Sequence, residues 1–341
     1  MPSFATRAAR MLACLALPLS GPAGAQTTLA LSSWVPPAHA LTTTQIEWCE
    51  MLAQRVAGKI KCNALPRAVA APPGTFDAVR NGLADISFAV HGYTPSRFVT
   101  PQLAEFPFLG NSSESVSVAF QRMYAKYPAF AEEHKGVKVL AVFTHGPGIV
   151  FNTKRPIAKV EDLSGLKFRV GGGMVNEIAK VLGMNATLKP APESYELLST
   201  GVMDGTLFPA ESIESFKIEK IIKYATLFPG GLYNTSFVFM MNQAKYDSLP
   251  PDVKKAIDEM SGEFLARMAG RAWDKADRRA YALMQANNVE ITKADAAFVN
   301  AVKSKTAALE DGWAQAAEAR GLKDPKKVLA DFRAEITKLE K

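Results

Sequence analysis

Short apolar runs alternate with segments of helical periodicity along residues 28–90. In chain order, strand-like and helical segments are 28–32, 41–56, 60–65, 75–83 and 85–90. Strands that alternate with helices predict a parallel or mixed β-sheet covered by helices.

A second series of the same kind begins near residue 137. Its strand-like runs are 139–142, 149–152, 167–170, 186–189 and 205–208, with helical patterns at 176–182 and 193–199. Two similar series predict an α/β protein with two lobes rather than one large sheet.

The C-terminal part is mostly helical. After a strand-like run at 236–241, residues 251–286 keep helical periodicity, with Pro250 and Pro251 at the start, where prolines are tolerated. We predict one long helix there, followed by helices at 294–320 and 325–339.

Residues 1–25 have the pattern of a secretory signal peptide. Arg7 and Arg10 precede a short apolar run, and Ala23-Gly24-Ala25 fits an A-x-A cleavage site. A membrane anchor, the alternative, needs about 20 apolar residues. We therefore expect cleavage near Ala25 and an exported protein that does not itself span the membrane.

Composition narrows the classes of function. The 341 residues are 48% hydrophobic and 21% charged, which indicates a globular protein of about two domains. The net charge of +7 is scattered, so we expect no nucleic-acid partner. Three cysteines and four histidines without ligand spacing favour neither a metal nor a cofactor.

Cys49 falls in a helical segment and Cys62 in the strand that follows it. Export to an oxidising compartment permits a disulfide between them, which would close a short loop. Two buried free thiols are the alternative.

Motifs of catalysis are missing from the sequence. The run Gly171-Gly172-Gly173 follows a strand and precedes a helix, but it fits neither phosphate-binding pattern. We interpret it as a turn in close approach to a ligand, with a simple loop as the alternative. No GxSxG elbow is present either, and we do not expect an enzyme.

One stretch, EDLSGLKFRV at 161–170, preceded by TKRPI at 153–157, resembles the DctP-type solute-binding proteins of TRAP transporters. The resemblance extends over the chain through WVPPAH (34–39), NGLADI (81–86), YTPSRF (93–98), FPFL (106–109), STGVMDG (199–205), MNQAKY (241–246) and SLP (248–250). The order and spacing of these motifs make the resemblance specific.

The resemblance implies a periplasmic receptor that hands an organic acid to a sodium-coupled membrane permease. It also implies two α/β lobes around a ligand cleft, crossed by strands and by one long lobe-spanning helix. We expect the first lobe at 26–148 with about 238–285, and the second at 149–237 with about 286–341.

In that family the arginine of the matched stretch pairs with a ligand carboxylate, which implies this role for Arg169. A guanidinium suits it, because its parallel donors match a carboxylate and it stays charged when desolvated. Two departures favour a more apolar acid: Gly148 stands near the place of a second arginine, and Phe208 stands where sugar-acid receptors carry an asparagine.

Further candidates lie in loops at strand ends, where open α/β sheets bind ligands. They are Trp34, His91, Tyr93, Gly172, Phe208, Glu211, Tyr233 and Phe237. For each aromatic residue the alternative is core packing. His91 either donates to the ligand or is structural, and Glu211 either meets a ligand hydroxyl or amine, or starts a solvent-facing helix.

We interpret the protein as a receptor that captures a small carboxylate by lobe closure, with TRAP permease subunits as partners. Two alternatives remain from sequence alone. One is an exported enzyme that acts on a small carboxylic acid. The other is a receptor for an ABC importer or a sensor kinase.

Overall fold

The structure, a computed structural model, describes residues 26–341, so the predicted signal peptide lies outside the described residues. Strands within this range are β1 (Thr27–Leu31), β2 (Ile60–Ala64), β3 (Ile86–Val90), β4 (Val137–Thr144), β5 (Ile149–Asn152), β6 (Lys167–Val170), β7 (Asn185–Leu188), β8 (Gly205–Phe208), β9 (Tyr224–Leu227), β10 (Ser236–Asn242) and β11 (Glu290–Lys293).

Helices cover the strands. Those of the described residues are α1 (Ala40–Arg55), α2 (Thr75–Arg80), α3 (Ser113–Lys126), α4 (Pro128–Glu132), α5 (Met174–Val181), α6 (Ser194–Ser199), α7 (Ser212–Ser215), α8 (Gln243–Asp247), α9 (Pro251–Glu259), α10 (Glu263–Ala286), α11 (Ala296–Ala319) and α12 (Pro325–Leu339). Short 3₁₀ turns include Pro72–Gly74, His91–Tyr93, Thr100–Glu105, Val160–Leu163 and Ala191–Glu193.

The strands form two mixed sheets, which confirms the predicted α/β fold class. The first sheet has the order β2-β1-β3-β10-β4 and the second the order β11-β9-β5-β8-β6-β7. We call the elements around these sheets the first lobe and the second lobe. The chain crosses between the lobes from β4 to β5, from β9 to β10 and from α10 to β11.

Strand β10 belongs to the first sheet, although it lies far along the chain from the other strands of that sheet. All seven of its residues are buried, and it lies antiparallel between β3 and β4. Strand β3 is buried throughout as well, as is usual for a strand covered on both faces. The centre of the first sheet therefore contains a strand that follows most of the second lobe in the sequence.

The prediction of a single long helix at 251–286 is wrong in one respect. The chain breaks into α9 and α10 because Gly262 takes a φ of +63° and its N–H donates to the carbonyl of Leu140. Helix α10 still runs for 24 residues. It packs on α3, α1 and β4 of the first lobe and contacts α7 of the second.

Some elements were not predicted. Among these are the helix α3 and the short strands β9 and β11, which pair in parallel with each other at one edge of the second sheet. The structure joins Cys49 of α1 to Cys62 of β2 by a disulfide, with the two Cα atoms 6.0 Å apart. Within residues 26–341, the helices are too short or too polar to cross a membrane.

Candidate functional site

A cavity lies between the two lobes, and residues of both line it. The first lobe contributes Trp34, Val35, His39, Leu41, Val90, Tyr93, His145, Thr235, Phe237 and Trp273. The second contributes Arg169, Gly171, Ala191, Leu207, Phe208, Pro209, Ser212, Phe216 and Tyr233. Apolar walls with a few polar groups are typical of small-molecule sites.

Arg169 provides the positive charge of this cavity. It lies in β6, is only 2% exposed, and is held by a 2.7 Å hydrogen bond from Nε to the carbonyl of Lys189. Burial lowers its pKa, and the neighbouring tyrosine Tyr93 acts in the opposite direction. An arginine nevertheless keeps its charge, because its ordinary pKa lies far above neutral pH.

Within the described residues, this guanidinium forms no ion pair. Glu193, an acidic residue whose charge acts on it, pairs with Lys189 instead. The face of the Phe208 ring lies 4.5 Å from the Arg169 Cζ atom. A cation–π contact offsets only part of the cost of burying a charge, so the site favours an anion.

Tyr93 connects the lobes beside this arginine. Its Oη accepts a 2.9 Å hydrogen bond from the N–H of Ala191. Burial raises the pKa of Tyr93, so the hydroxyl stays neutral and keeps its own proton for donation. Burial also raises the pKa of Tyr233, the second phenol on the wall.

Aromatic rings form most of the remaining wall. Phe208 stacks on Phe216 at 5.4 Å between ring centroids, and Phe237 lies 5.3 Å from Trp273. Trp34 donates its Nε1–H to the carbonyl of Phe88, which leaves its ring as the contact surface. A flat apolar ligand matches such walls.

The structure places His91 away from the cavity. Its Nδ1 lies 2.9 Å from Ser236 Oγ, and its Nε2 lies 2.9 Å from His134 Nε2. Because neighbouring side chains engage both ring nitrogens, His91 does not donate to a ligand in this geometry.

Glu211 also lies behind the wall and not on it. It is 1% exposed, and Ser212, Ser215 and His39 surround its carboxylate. The alternative of a solvent-facing helix start is therefore wrong. His39, which Glu211 contacts at 3.3 Å, does line the cavity.

The glycine run makes a contact between lobes. Gly171 lines the cavity, whereas Gly172 does not. With a φ of +80°, Gly172 lies so close to Gly92 that a Cβ added to it would fall 2.3 Å from the Gly92 carbonyl oxygen. The glycine run was predicted to approach a ligand closely. Gly172 instead approaches the backbone of the first lobe.

Gly148, near which the resemblance implied the place of a second arginine, has no room for a side chain. A Cβ there would fall 2.3 Å from the ring of Tyr233. Tyr233 therefore occupies this region, and the walls keep their aromatic character.

A buried carboxyl group forms a third contact between lobes. Glu105 accepts a 2.8 Å hydrogen bond from the N–H of Met174, the first residue of α5. Its other oxygen lies 2.6 Å from Ser236 Oγ. Burial raises the pKa of Glu105 to about 7, against the effect of these hydrogen bonds.

Sequence reasoning missed His39, His145, Phe216 and Trp273 as wall residues. His145 directly follows strand β4, just as the 3₁₀ turn that ends in Tyr93 directly follows strand β3. Ligands of open α/β sheets bind at strand ends, so the same reasoning would have identified His145. Trp273 lies in the middle of α10, and no local pattern distinguishes it from a core residue. Within residues 26–341, no cluster of His, Cys, Asp and Glu is placed to hold a metal ion.

The family model described as DctP, bacterial extracellular solute-binding protein, family 7, matches residues 31–315. The chain belongs to this family. The DctP family consists of solute-binding receptors, and the resemblance found in the sequence motifs is confirmed.

Solved structures of TRAP solute-binding proteins have the same two-lobe fold. One, from Bordetella bronchiseptica with bound (R)- and (S)-mandelate, is 45% identical, with a TM-score of 0.89 over 92% of this chain and 99% of that one. A marine metagenome protein specific for aromatic acids, in complex with 3-hydroxybenzoate, is 33% identical, with a TM-score of 0.87 over 93% and 99%. A third, from Rhodoferax ferrireducens with benzoate, is 29% identical, with a TM-score of 0.85 over 92% and 98%.

Proposed function

We propose that this protein is the periplasmic receptor of a TRAP transporter and captures an aromatic monocarboxylic acid. The observation that carries the proposal is the buried guanidinium of Arg169, which has no protein carboxylate as partner among the described residues and lies within aromatic walls. A ligand carboxylate supplies the missing negative charge, and its ring supplies the apolar surface.

The chemistry of the pair is straightforward. The Nε of Arg169 is used by the Lys189 carbonyl, so the terminal nitrogens serve the ligand. A charge-assisted hydrogen bond to a carboxylate is stronger than a neutral one, and exclusion of water strengthens it further. Tyr93, with its free proton beside the arginine, is the second donor to the carboxylate.

The charge balance favours one carboxylate in the ligand. Arg169 is the one arginine or lysine on the cavity wall within the described residues. A second carboxylate would therefore be buried against phenylalanine and tryptophan rings without a cation, which costs several kcal/mol. This reasoning disfavours C4 dicarboxylates.

Related proteins support the same class. Mandelate, 3-hydroxybenzoate and benzoate, bound to the three structures above, are all aromatic monocarboxylates. We also propose that residues 1–25 direct export of the protein and that the closed form delivers the ligand to the permease. For its lobes we propose the boundaries expected from the sequence, 26–148 with about 238–285 and 149–237 with about 286–341. One change is needed: Thr235 and the start of β10, which includes Phe237, belong to the first lobe.

A thermal-shift screen tests the ligand class. The ligand-stripped protein is heated with mandelate, benzoate, phenylacetate, succinate, malate and galactonate at equal concentrations. A ligand at 100 times its Kd stabilises the native state by about 2.7 kcal/mol. We expect stabilisation by the aromatic acids alone; equal or greater stabilisation by succinate or galactonate would contradict the proposal.

A further inference from the structure

Two polar atoms of the cavity wall have no protein partner within the described residues. They are Nε2 of His145 and Nε1 of Trp273. Both side chains are buried, and the ring centroids lie 5.9 Å apart. Buried polar atoms are almost always hydrogen-bonded, so this pair indicates a bound polar group.

The surroundings of each atom determine whether it donates or accepts a hydrogen bond. His145 Nδ1 faces the carbonyl oxygen of Gly146, which can only accept, so Nδ1 carries the proton. Burial lowers the pKa of His145 to about 4, and the ring is neutral. Nε2 therefore presents a lone pair and accepts, whereas Trp273 Nε1 can only donate.

The position of the imidazole is fixed from several sides. Asn234 Nδ2 donates to the carbonyls of His145 and Gly146, which holds this part of the backbone. Tyr233 contacts the imidazole edge-on, with 5.2 Å between centroids. A side chain held in this way selects a ligand group by its geometry.

A hydroxyl group has the chemistry that both atoms require. It can donate its hydrogen to Nε2 and accept from Nε1–H with its oxygen. A carboxylate has no proton to donate, a protonated amine has no lone pair to accept with, and a hydrocarbon has neither.

We propose that the ligand carries a hydroxyl group in addition to its carboxylate, and that His145 and Trp273 recognise it. This inference rests on the proposed function, since the carboxylate pairs with Arg169. It narrows the ligand class to hydroxylated aromatic acids. Ligands without the hydroxyl leave both wall atoms unpaired, and sites built to bind a hydroxyl discriminate strongly against such analogues.

Calorimetric titration of the wild-type protein with three acids tests this without any variant. Phenylacetate has no hydroxyl, mandelate carries one next to the carboxylate, and 3-hydroxyphenylacetate carries one on the ring. We expect at least one hydroxylated acid to bind tenfold or more tighter than phenylacetate. Equal affinities for all three would overturn the inference.

Variants show which wall residues distinguish the hydroxylated acid from phenylacetate. Trp273→Phe removes the N–H and keeps a ring, and His145→Phe removes the acceptor. Each should reduce the preference for the hydroxylated acid below threefold. Trp34→Phe is the matched control, because its N–H is already used by Phe88; it should weaken both acids alike and keep their ratio. A ratio that falls equally in Trp34→Phe would overturn the assignment.

The two proposals fail in different ways. If none of the aromatic acids binds, the proposed function is wrong. If all bind equally and Arg169→Gln abolishes their binding, the proposed function stands and the hydroxyl inference is wrong.

Discussion

Burial affects the ionisable residues in and near this cavity in different ways. Arg169 and Glu105 are both almost fully buried, yet burial acts on them differently. The arginine stays charged and favours an anionic ligand. The glutamate, whose pKa is raised to about 7, holds a proton under mildly acidic conditions.

Burial, and not hydrogen bonding, explains why Glu105 favours its protonated form. Ser236 Oγ and the N–H of Met174 both donate to its carboxylate, and these hydrogen bonds favour the ionised form. Burial penalises the charge and outweighs them. Burial also lowers the pKa values of His91 and His134, which lie beyond Ser236, so both rings are neutral.

This arrangement predicts a pH-dependent contribution to stability. The folded protein binds the proton of Glu105 more tightly than the unfolded chain, whose glutamate titrates near 4.5. The contribution is therefore fully present below about pH 4.5 and is lost as the pH rises through about 7. Its size is about 3 kcal/mol, from roughly 1.4 kcal/mol for each pKa unit.

Glu105→Gln isolates this effect. His91 and His134 have lowered pKa values, so they add an opposite slope below about pH 6.5. Urea unfolding of both proteins between pH 4.5 and 8 should show the wild type losing stability relative to Glu105→Gln. Parallel pH profiles would mean that Glu105 is ionised throughout.

At the residue scale, several candidates that a motif or a strand end marked in the sequence lie on the cavity wall. Arg169, Trp34, Tyr93, Phe208 and Phe237 all line the cavity. Other candidates, such as His91, Gly172 and Glu211, lie one layer behind it. Their position relative to the wall depends on partners distant in sequence, such as Ser236 or Gly92, which local patterns do not reveal.

At the scale of elements, the turn between β6 and α5 connects the site to the opposite lobe. Gly172 and Gly173 have positive φ values, and both approach Gly92. Any side chain at Gly172 would push the two backbones apart. The glycines are thus required by contact as well as by conformation.

A pair of alanine variants separates these two causes. Gly172→Ala meets the Gly92 carbonyl, whereas Gly183 has nearly the same φ, +77°, with no atom within 4 Å of an added Cβ. Each substitution costs about 1 kcal/mol of conformational strain. We expect only Gly172→Ala to weaken mandelate binding, by tenfold or more in calorimetric titration. Equal affinities of the two variants would show that the contact has no part in binding.

Element prediction succeeded for strands with continuous apolar runs. Strands β5, β6 and β8 have the predicted bounds. Strands β9 and β11 are only partly buried and carry polar residues. The pairing of β9 with β5 and β11 makes them strands, and their composition does not. The break at Gly262 was missed because apolar periodicity continues across it.

At the scale of the whole molecule, several contacts join the lobes around the cavity. They include Tyr93 with Ala191, Gly92 with Gly172, and Glu105 with Met174. We propose that the lobes rotate about the crossing strands and that these contacts form on closure. In this proposal, ligand binding energy sets the population of the closed form.

The overall fold was predictable from the order of motifs along the chain, although each motif alone is weak. The arrangement of residues around the cavity was less predictable from the sequence. Its wall combines residues from 34 to 273, and Trp273 reaches it on a helix that packs mainly on the first lobe. Such long-range placement follows from packing of the lobes, which no single segment specifies.

Calorimetric titration of mandelate into the wild type, Arg169→Gln and Arg271→Gln tests the central claim most directly. Arg271 is about two-thirds exposed and pairs with Glu114 within the first lobe, so its variant controls for loss of positive charge. Removing one partner of a buried charge pair costs about 2 kcal/mol or more. We expect Arg169→Gln to bind about 30-fold more weakly or worse, and Arg271→Gln to bind like the wild type. A folded Arg169→Gln that binds mandelate within threefold of the wild type would contradict the account.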